Sequence, residues 1–383
     1  MAEYYDGYGS RDGNKRSRRS VLMLLLDALM TILAYGGVVA MVLTLCAPYV
    51  NPANSRIFPI LGLGAPLTYV AVVLLALYWV IRWRWGRAGM LLVCVVAGLF
   101  RLNLYYKPDF RRAYDSDNYG RRVFKVLTYN IRGFYLPRSG WQEEHIAGFL
   151  GEQEPDIICF QEFNHQRAAE DESFAQLAGR YRMTLGNRTE EQNRAARGGQ
   201  QAILRKFRIL RSGTIIPRTS IWADLLVGDD TVRVFNNHLH STEITPRDAK
   251  YLTSHRYVSD TAREEKLRSI MYRLRKNSVL RAEQVDTIRS VMAATPYPMI
   301  VCGDFNDTPM SFVYRQMSRG LNDAFRKCGR GYSYTFRGFF NTLRIDYVLS
   351  SDALAVRSYE VPEVGYSDHL PVVVRLERSE END

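Results

Sequence analysis

The chain has little of what builds the common stabilised small sites. Five cysteines are spread over 383 residues. Cys46 and Cys94 fall in long apolar stretches, and Cys159 and Cys302 in short strand-like ones. They read as small core residues, and no disulfide framework is implied. There are only six histidines, and no Cys/His cluster has zinc-site spacing, which excludes a structural zinc module. No segment repeats at a fixed period and no tract is of low complexity, so nothing points to a solenoid architecture. Acidic charge is in deficit too: 51 Lys and Arg face 40 Asp and Glu, a net of +11. That balance suits an anionic substrate or an anionic lipid surface, although part of it is topogenic.

What the chain does have is apolar runs near its start. Residues 21–47 are nearly uncharged apart from Asp27, and at about 1.5 Å per residue they exceed the hydrocarbon thickness of a bilayer. Residues 57–81 carry no charge, and Pro59 and Pro66 sit in the first half, where a membrane helix tolerates a kink. The third run, 88–100, lies between Arg87 and Arg101 and spans only if Arg101 and the Tyr105-Tyr106 pair reach the far interface. A cleaved signal peptide is the competing reading, because Lys15, Arg16, Arg18 and Arg19 precede the first run. That run is too long for an h-region, and two more follow it.

The expected organisation is a basic cytoplasmic N-terminus over 1–20, a transmembrane region over 21–104 with spans at about 21–47, 57–81 and 88–104, a polar linker over 105–122, and a large domain over 123–378. Basic residues flank the spans asymmetrically, with the N-terminal cluster and Arg82, Arg84 and Arg87 on one side, which is therefore cytoplasmic. Three complete spans place the large domain outside a bacterial inner (plasma) membrane. The counter-signal is Arg101, Lys107, Arg111, Arg112, Arg121 and Arg122 after the third run. A re-entrant third segment would keep the domain inside.

Beyond the linker, short apolar runs at 123–128, 156–161, 202–204, 232–236, 299–303, 345–349 and 372–376 read as strands. The spacing Leu267, Ile270, Met271, Leu274 reads as a helix, and Val285, Ile288, Met292 as another or its continuation. Shorter helices are expected over 142–150 and 310–317. Together these predict one mixed α/β domain. Polar side chains follow the strands: Tyr129-Asn130, Gln161-Glu162, His238, and Asp304 with Asn306. Asp346 and the Asp368-His369 pair come later. Taken singly each signal is weak, since Asp304-Phe305-Asn306 also fits an Asx turn before the Thr308-Pro309 helix start. Together they match one chemistry. Hydrolysis of a phosphate ester needs charge neutralisation on the non-bridging oxygens, an activated water and help for the leaving oxygen. An oxygen-bound divalent ion, imidazoles and an extra carboxylate supply these, and the donor types favour Mg²⁺, with Mn²⁺ as alternative.

The motifs Thr128-Tyr129-Asn130-Ile131, Phe160-Gln161-Glu162, Asn237-His238-Leu239, Gly303-Asp304-Phe305-Asn306, Ile345-Asp346-Tyr347 and Ser367-Asp368-His369-Leu370-Pro371 stand in the order found in the endonuclease/exonuclease/phosphatase superfamily, which the chain resembles from about residue 124 to 376. The resemblance implies a DNase I-like four-layer α/β sandwich and a membrane-anchored bacterial hydrolase. It implies that Glu162 is the principal metal ligand, with Asn130 nearby and Asp368 contributing. Asp304 would orient or deprotonate the water, and Asn306 would hold it or a phosphate oxygen. His369, oriented by Asp346, would contact the phosphate, and His238 would bind a phosphoryl oxygen or assist the leaving group. His240 is the alternative for that last role. Two departures stand out: Arg205 occupies the position of the family's usual serine in Gly199-Gln200-Gln201-Ala202-Ile203-Leu204-Arg205-Lys206, and no acid near Gln200 fixes the tautomer of His238.

Substrate class is left open by the residues. The segment 247–289 is a candidate basic arm or a solvated amphipathic helix. Tyr332, Tyr334, Phe336, Phe339 and Phe340 could stack on bases, dip into lipid, or simply pack. The expected partners are a phosphate ester, from nucleic acid or from a lipid or sugar-phosphate head group, and the lipid bilayer. A catalytically silent, membrane-anchored binding domain is the other class, disfavoured because no site residue is missing.

Overall fold

The computed structural model describes residues 21–108, 123–186, 199–242, 260–338 and 341–378. The N-terminal basic cluster, most of the predicted linker, the first part of the predicted basic arm, and Phe339 and Phe340 lie outside the described residues.

Every strand read from an apolar run forms, because each run supplies β-branched and aromatic side chains that fit a buried pleated surface. They assemble into two six-stranded sheets. The first runs Asn322–Asp323, Asp346–Ser350, Met299–Asp304, Asp230–His238, Ser220–Val227, Arg208–Ile216. The second runs Leu354–Glu360, Val372–Arg378, Val123–Asn130, Ile157–Phe163, Gln200–Arg205, Arg182–Leu185. Five of these strands, Arg182–Leu185, Arg208–Ile216, Ser220–Val227, Asn322–Asp323 and Leu354–Glu360, escape the apolar-run criterion. Four are edge strands, and Arg208–Ile216 is only partly buried.

The sheets pack face to face over a core that includes Val126, Ile157, Cys159, Ile203, Val234, Ile300 and Cys302. Glu143–Gln153, His165–Glu170 and Glu172–Ala178 pack on the outside of the second sheet, and the long helix Asp260–Ala293 with Phe312–Met317 packs outside the first. The result is the four-layer DNase I-like sandwich. The helical stretches read near 267–274 and 285–292 are continuous, parts of one 34-residue helix.

Each sheet has a parallel pair at its centre, Val123–Asn130 with Ile157–Phe163 and Asp230–His238 with Met299–Asp304. Parallel strands end at the same edge, so Asn130, Glu162, His238 and Asp304 emerge together. The antiparallel neighbour Asp346–Ser350 begins there, with Asp346 opposite Asp304. Val372–Arg378 also begins there, with Val372 opposite Thr128. Just below this edge, Asn236 Nδ2 donates across the interface to the carbonyls of Phe160 (2.8 Å) and Ala202 (2.9 Å), and Gln161 Nε2 donates to Asn236 Oδ1 (2.6 Å). These buried, largely satisfied amides fix the relative position of the sheets under the site.

The N-terminal region corrects the expectation of three full spans. Val21–Tyr49 and Trp85–Leu102 are long and apolar enough to cross a membrane. The middle run is broken: it forms Phe58–Leu63 and a 17-residue helix, Ala65–Ile81, with Gly64 off the helical conformation and Pro66 lacking a donor in the first turn. At about 25 Å the second piece falls short of the ~30 Å hydrocarbon core. The three longer helices form an up-down-up bundle. Asp27 near its start accepts from Arg82 (2.7 Å) and Tyr78 (2.7 Å), and at the other end Arg101 contacts Tyr49. The second end docks on the sandwich, where the Leu104 carbonyl accepts from buried Arg344 Nη2 at 3.0 Å.

Candidate active site

Glu162 reaches the cleft through a break in regular pairing. Between Phe160 and Phe163 the register with Gln200–Arg205 shifts, and Glu162 adopts a left-handed φ of 53°. Gly199 makes room: a Cβ there would lie 2.3 Å from Glu162 Cα. Gln161 stays buried as the inter-sheet bridge, whereas the Glu162 side chain is 38% exposed. Gly303 does the same for Asp304. Its φ is 130°, and a Cβ would meet the Asn237 carbonyl oxygen at 1.9 Å, so only glycine lets these parallel strands approach.

Asp304 is the hub. Its Oδ2 accepts from Asn130 Nδ2 at 3.1 Å and stands 3.7 Å from Nε2 of both His238 and His369. Asn130 Nδ2 also reaches Glu162 Oε1 at 3.2 Å, and His238 Nε2 lies 3.7 Å from the same oxygen. Asn306, with a left-handed φ of 51°, donates its backbone N–H to Asp304 Oδ1 (2.8 Å) and its amide to the Leu239 carbonyl (3.0 Å). His369 Nδ1 is 3.0 Å from Asp346 Oδ2. An N–H donated there leaves Nε2 facing the cleft. The Asp346 N–H in turn donates to Thr335 Oγ1 at 3.0 Å.

Charge in this buried row is shared. Burial pulls the His369 imidazole down, but the Asp346 and Asp304 carboxylates outweigh it and push it up to about 10. Burial raises Asp346 to about 6, with His369 opposing. Between these values the pair is imidazolium on carboxylate.

The structure brings Asn130, Glu162, His238, Asp304, Asn306, Asp346 and His369 to one edge. Asp368 lines the same cavity, but its carboxylate is engaged by Arg132 at 2.7 Å. Among the described residues, the tight carboxylate and imidazole group is Asp304, Asp346 and His369. His240 leaves the wall to His238. Its N–H donates to Gln284 Oε1 (2.9 Å) and its carbonyl accepts from Arg281 Nη1 (3.1 Å). Arg205 lies opposite Ile157, at the far end of its strand from the cleft, and donates to the Arg182 carbonyl at 2.9 Å, so that departure leaves the site untouched.

Sequence reasoning missed Arg132, Thr335, Arg281 and Asp307. Buried Arg281 pairs with Asp307 at 3.2 Å. Burial raises the Asp307 carboxyl, and Arg281 partly offsets this. The available signal was the spacing of Leu274, Ser278 and Arg281, one helical stripe, and all three line the cavity. The cavity measures about 310 Å³. Its Glu162 and Asp304 carboxylates share one amide donor and offer oxygen ligands only. That donor set fits a hard divalent ion such as Mg²⁺ or Mn²⁺.

The model of the Endonuclease/Exonuclease/phosphatase family matches residues 127–369. A second model, described as a domain of unknown function, matches residues 27–105. No curated protein matches the chain in sequence. Similar solved structures include an endonuclease/exonuclease/phosphatase family protein from Bacteroides thetaiotaomicron, at 20% identity and TM-score 0.49, covering 68% of this chain and 100% of that one. The human Nocturnin catalytic domain is similar at 20% identity and TM-score 0.46, covering 68% and 96%. A mannosyl-6-phosphatase from Bacteroides thetaiotaomicron is similar at 20% identity and TM-score 0.45, covering 66% and 99%. With the motifs matched across most of the sandwich, the chain belongs to the endonuclease/exonuclease/phosphatase family of phosphoester hydrolases.

Proposed function

We propose that the protein hydrolyses a phosphate ester by attack of water on phosphorus, in a reaction that needs a divalent cation. The observation that carries this reading is the position of Asp304 Oδ2, 3.7 Å from the Nε2 atoms of both His238 and His369. One carboxylate between two imidazoles offers a proton acceptor for water beside two groups for phosphate oxygens.

Asp304 orients the water and takes its proton as the new P–O bond forms. Asn306 holds the water or a phosphoryl oxygen. His369, kept as imidazolium by Asp346, donates from Nε2 to a non-bridging oxygen. As the ester P–O bond breaks, His238 steadies the phosphoryl oxygen or assists the leaving oxygen. Glu162 and Asn130 would hold Mg²⁺ or Mn²⁺, with Asp368 lining the same cavity in its pair with Arg132. The ion's contribution when bound is neutralisation of phosphate charge.

The chain is anchored in a membrane by the helical bundle, with the catalytic domain on the extracytoplasmic side. The up-down-up course of the three longer helices, which puts Arg82 beside Asp27 at the end opposite the sandwich, and the basic flanks at Arg82, Arg84 and Arg87 support this. The test is turnover of a bis-aryl phosphodiester and an aryl phosphate by the full chain in detergent. Activity should require Mg²⁺ or Mn²⁺, vanish with chelator and return on adding metal. Absence of turnover with either ion rejects the reading.

A further inference from the structure

One wall of the active-site cavity comes from between the apolar helices. Pro59 and Leu63, on the short helix Phe58–Leu63, line the same space as Glu162, His238, Asp304 and His369. This helix is fastened to the catalytic loop. The Gly62 carbonyl accepts from the buried Thr308 hydroxyl at 3.1 Å, and a Cβ on Gly62 would lie 2.5 Å from the Met310 carbonyl oxygen. Thr308 is two residues beyond Asn306, so the segment that carries the chemistry is also the one that seats the helix. Nearby, the Arg315 guanidinium lies 4.3 Å over the Tyr49 ring, just past the end of the first apolar helix.

These contacts place the cavity at the level where the apolar helices end on the sandwich side. The Asp27–Arg82 pair marks the opposite end of the bundle. Beside its charged groups the cavity is lined by apolar Pro59, Leu63, Leu274, Phe336, Leu343 and Ile345. Among the described residues that line it, the two guanidiniums are already committed, Arg132 to Asp368 and Arg281 to Asp307. A nucleic-acid strand calls for a groove of cations that tracks successive phosphates, with open aromatic faces for its bases. This space matches a single phosphate attached to an apolar body.

We infer that the ester cleaved is the headgroup phosphate of a membrane lipid, presented from the bilayer, with Pro59 and Leu63 touching the apolar part next to the headgroup. This deepens the hydrolase reading above and rests on it. The step is the same: water adds to phosphorus and the ester oxygen leaves. The membrane module then serves as part of the substrate site as well as an anchor.

The test uses the full chain reconstituted in phosphatidylcholine vesicles containing phosphatidic acid or phosphatidylglycerol, with a water-soluble bis-aryl phosphodiester and a single-stranded oligonucleotide as comparators. Release of headgroup or inorganic phosphate is measured with Mg²⁺ or Mn²⁺. The wild type should turn over at least one vesicle lipid with kcat/KM about tenfold or more above either comparator, the scale of burying a few methylene groups. Leu63→Glu should lower the ratio of lipid to soluble-ester kcat/KM by about tenfold, and Leu63→Met should restore it. If Leu63→Glu lowers both substrates equally, Leu63 is only structural and the inference fails. Hydrolysis of the soluble ester or oligonucleotide with no vesicle lipid cleaved also overturns it, while leaving the hydrolase reading intact. No turnover of anything overturns both.

Discussion

A Cβ on Gly199 would sit 2.3 Å from Glu162 Cα, so the start of the strand Gln200–Arg205 and the bulge that presents Glu162 fit only with glycine at that position. Gly199→Ala should displace Glu162 from the cleft. The expected outcome is a loss of turnover of about one to two orders of magnitude, with weaker Mn²⁺ binding by calorimetry. The melting temperature should shift far less than for a core truncation. Unchanged metal binding would show that the bulge tolerates a methyl group.

Glu162→Gln keeps the shape and removes the charge. Turnover should drop by about two orders of magnitude or more while the circular dichroism spectrum stays that of the wild type, the scale expected when a major source of transition-state charge stabilisation is lost. Near-normal turnover would remove Glu162 from the metal site.

Asp346 and His369, 3.0 Å apart and buried, should act as a unit. Asp346→Asn and His369→Gln should each cost a similar factor in kcat, and the double variant little more. A kinetic double-mutant cycle with fully additive losses would separate them.

The same pair sets a pH window. Activity should rise as Asp346 loses its proton near pH 6 and fall as His369 loses its own near pH 10, the two titrating together. Asp346→Asn should move the alkaline limb to lower pH, because it removes the charge that holds His369 up. For stability the sign runs the same way at high pH: the His369 pKa is raised, so its contribution is complete below the ordinary value of 6.5 and is lost as pH rises through about 10. An alkaline limb unmoved in the variant would contradict this coupling.

Topology decides which substrates the site meets. Reporter fusions after Arg87 and after Arg122 should report cytoplasm and periplasm, respectively. Cytoplasmic signal from both would mean that Trp85–Leu102 does not cross, and would place the catalytic domain inside.

The amino-acid sequence by itself determined the strands that end in Asn130, Glu162, His238 and Asp304. Apolar runs bounded by polar residues specify local extended structure without reference to anything distant. It also carried the order of the motifs, and through them the family. It did not reveal that the run over 57–81 breaks at Gly64 and fastens to Thr308, because that contact joins segments 246 residues apart. Nor did it reveal that Arg132 holds Asp368, because that pair joins segments 236 residues apart. Arg281 looked like any cation on a basic helix until packing buried it against Asp307. Local patterns encode which residues lie at a strand end or on a helix face. Which charge meets which, and which glycine must give way to a neighbouring backbone, is decided only when the two sheets and the helical bundle close on one another.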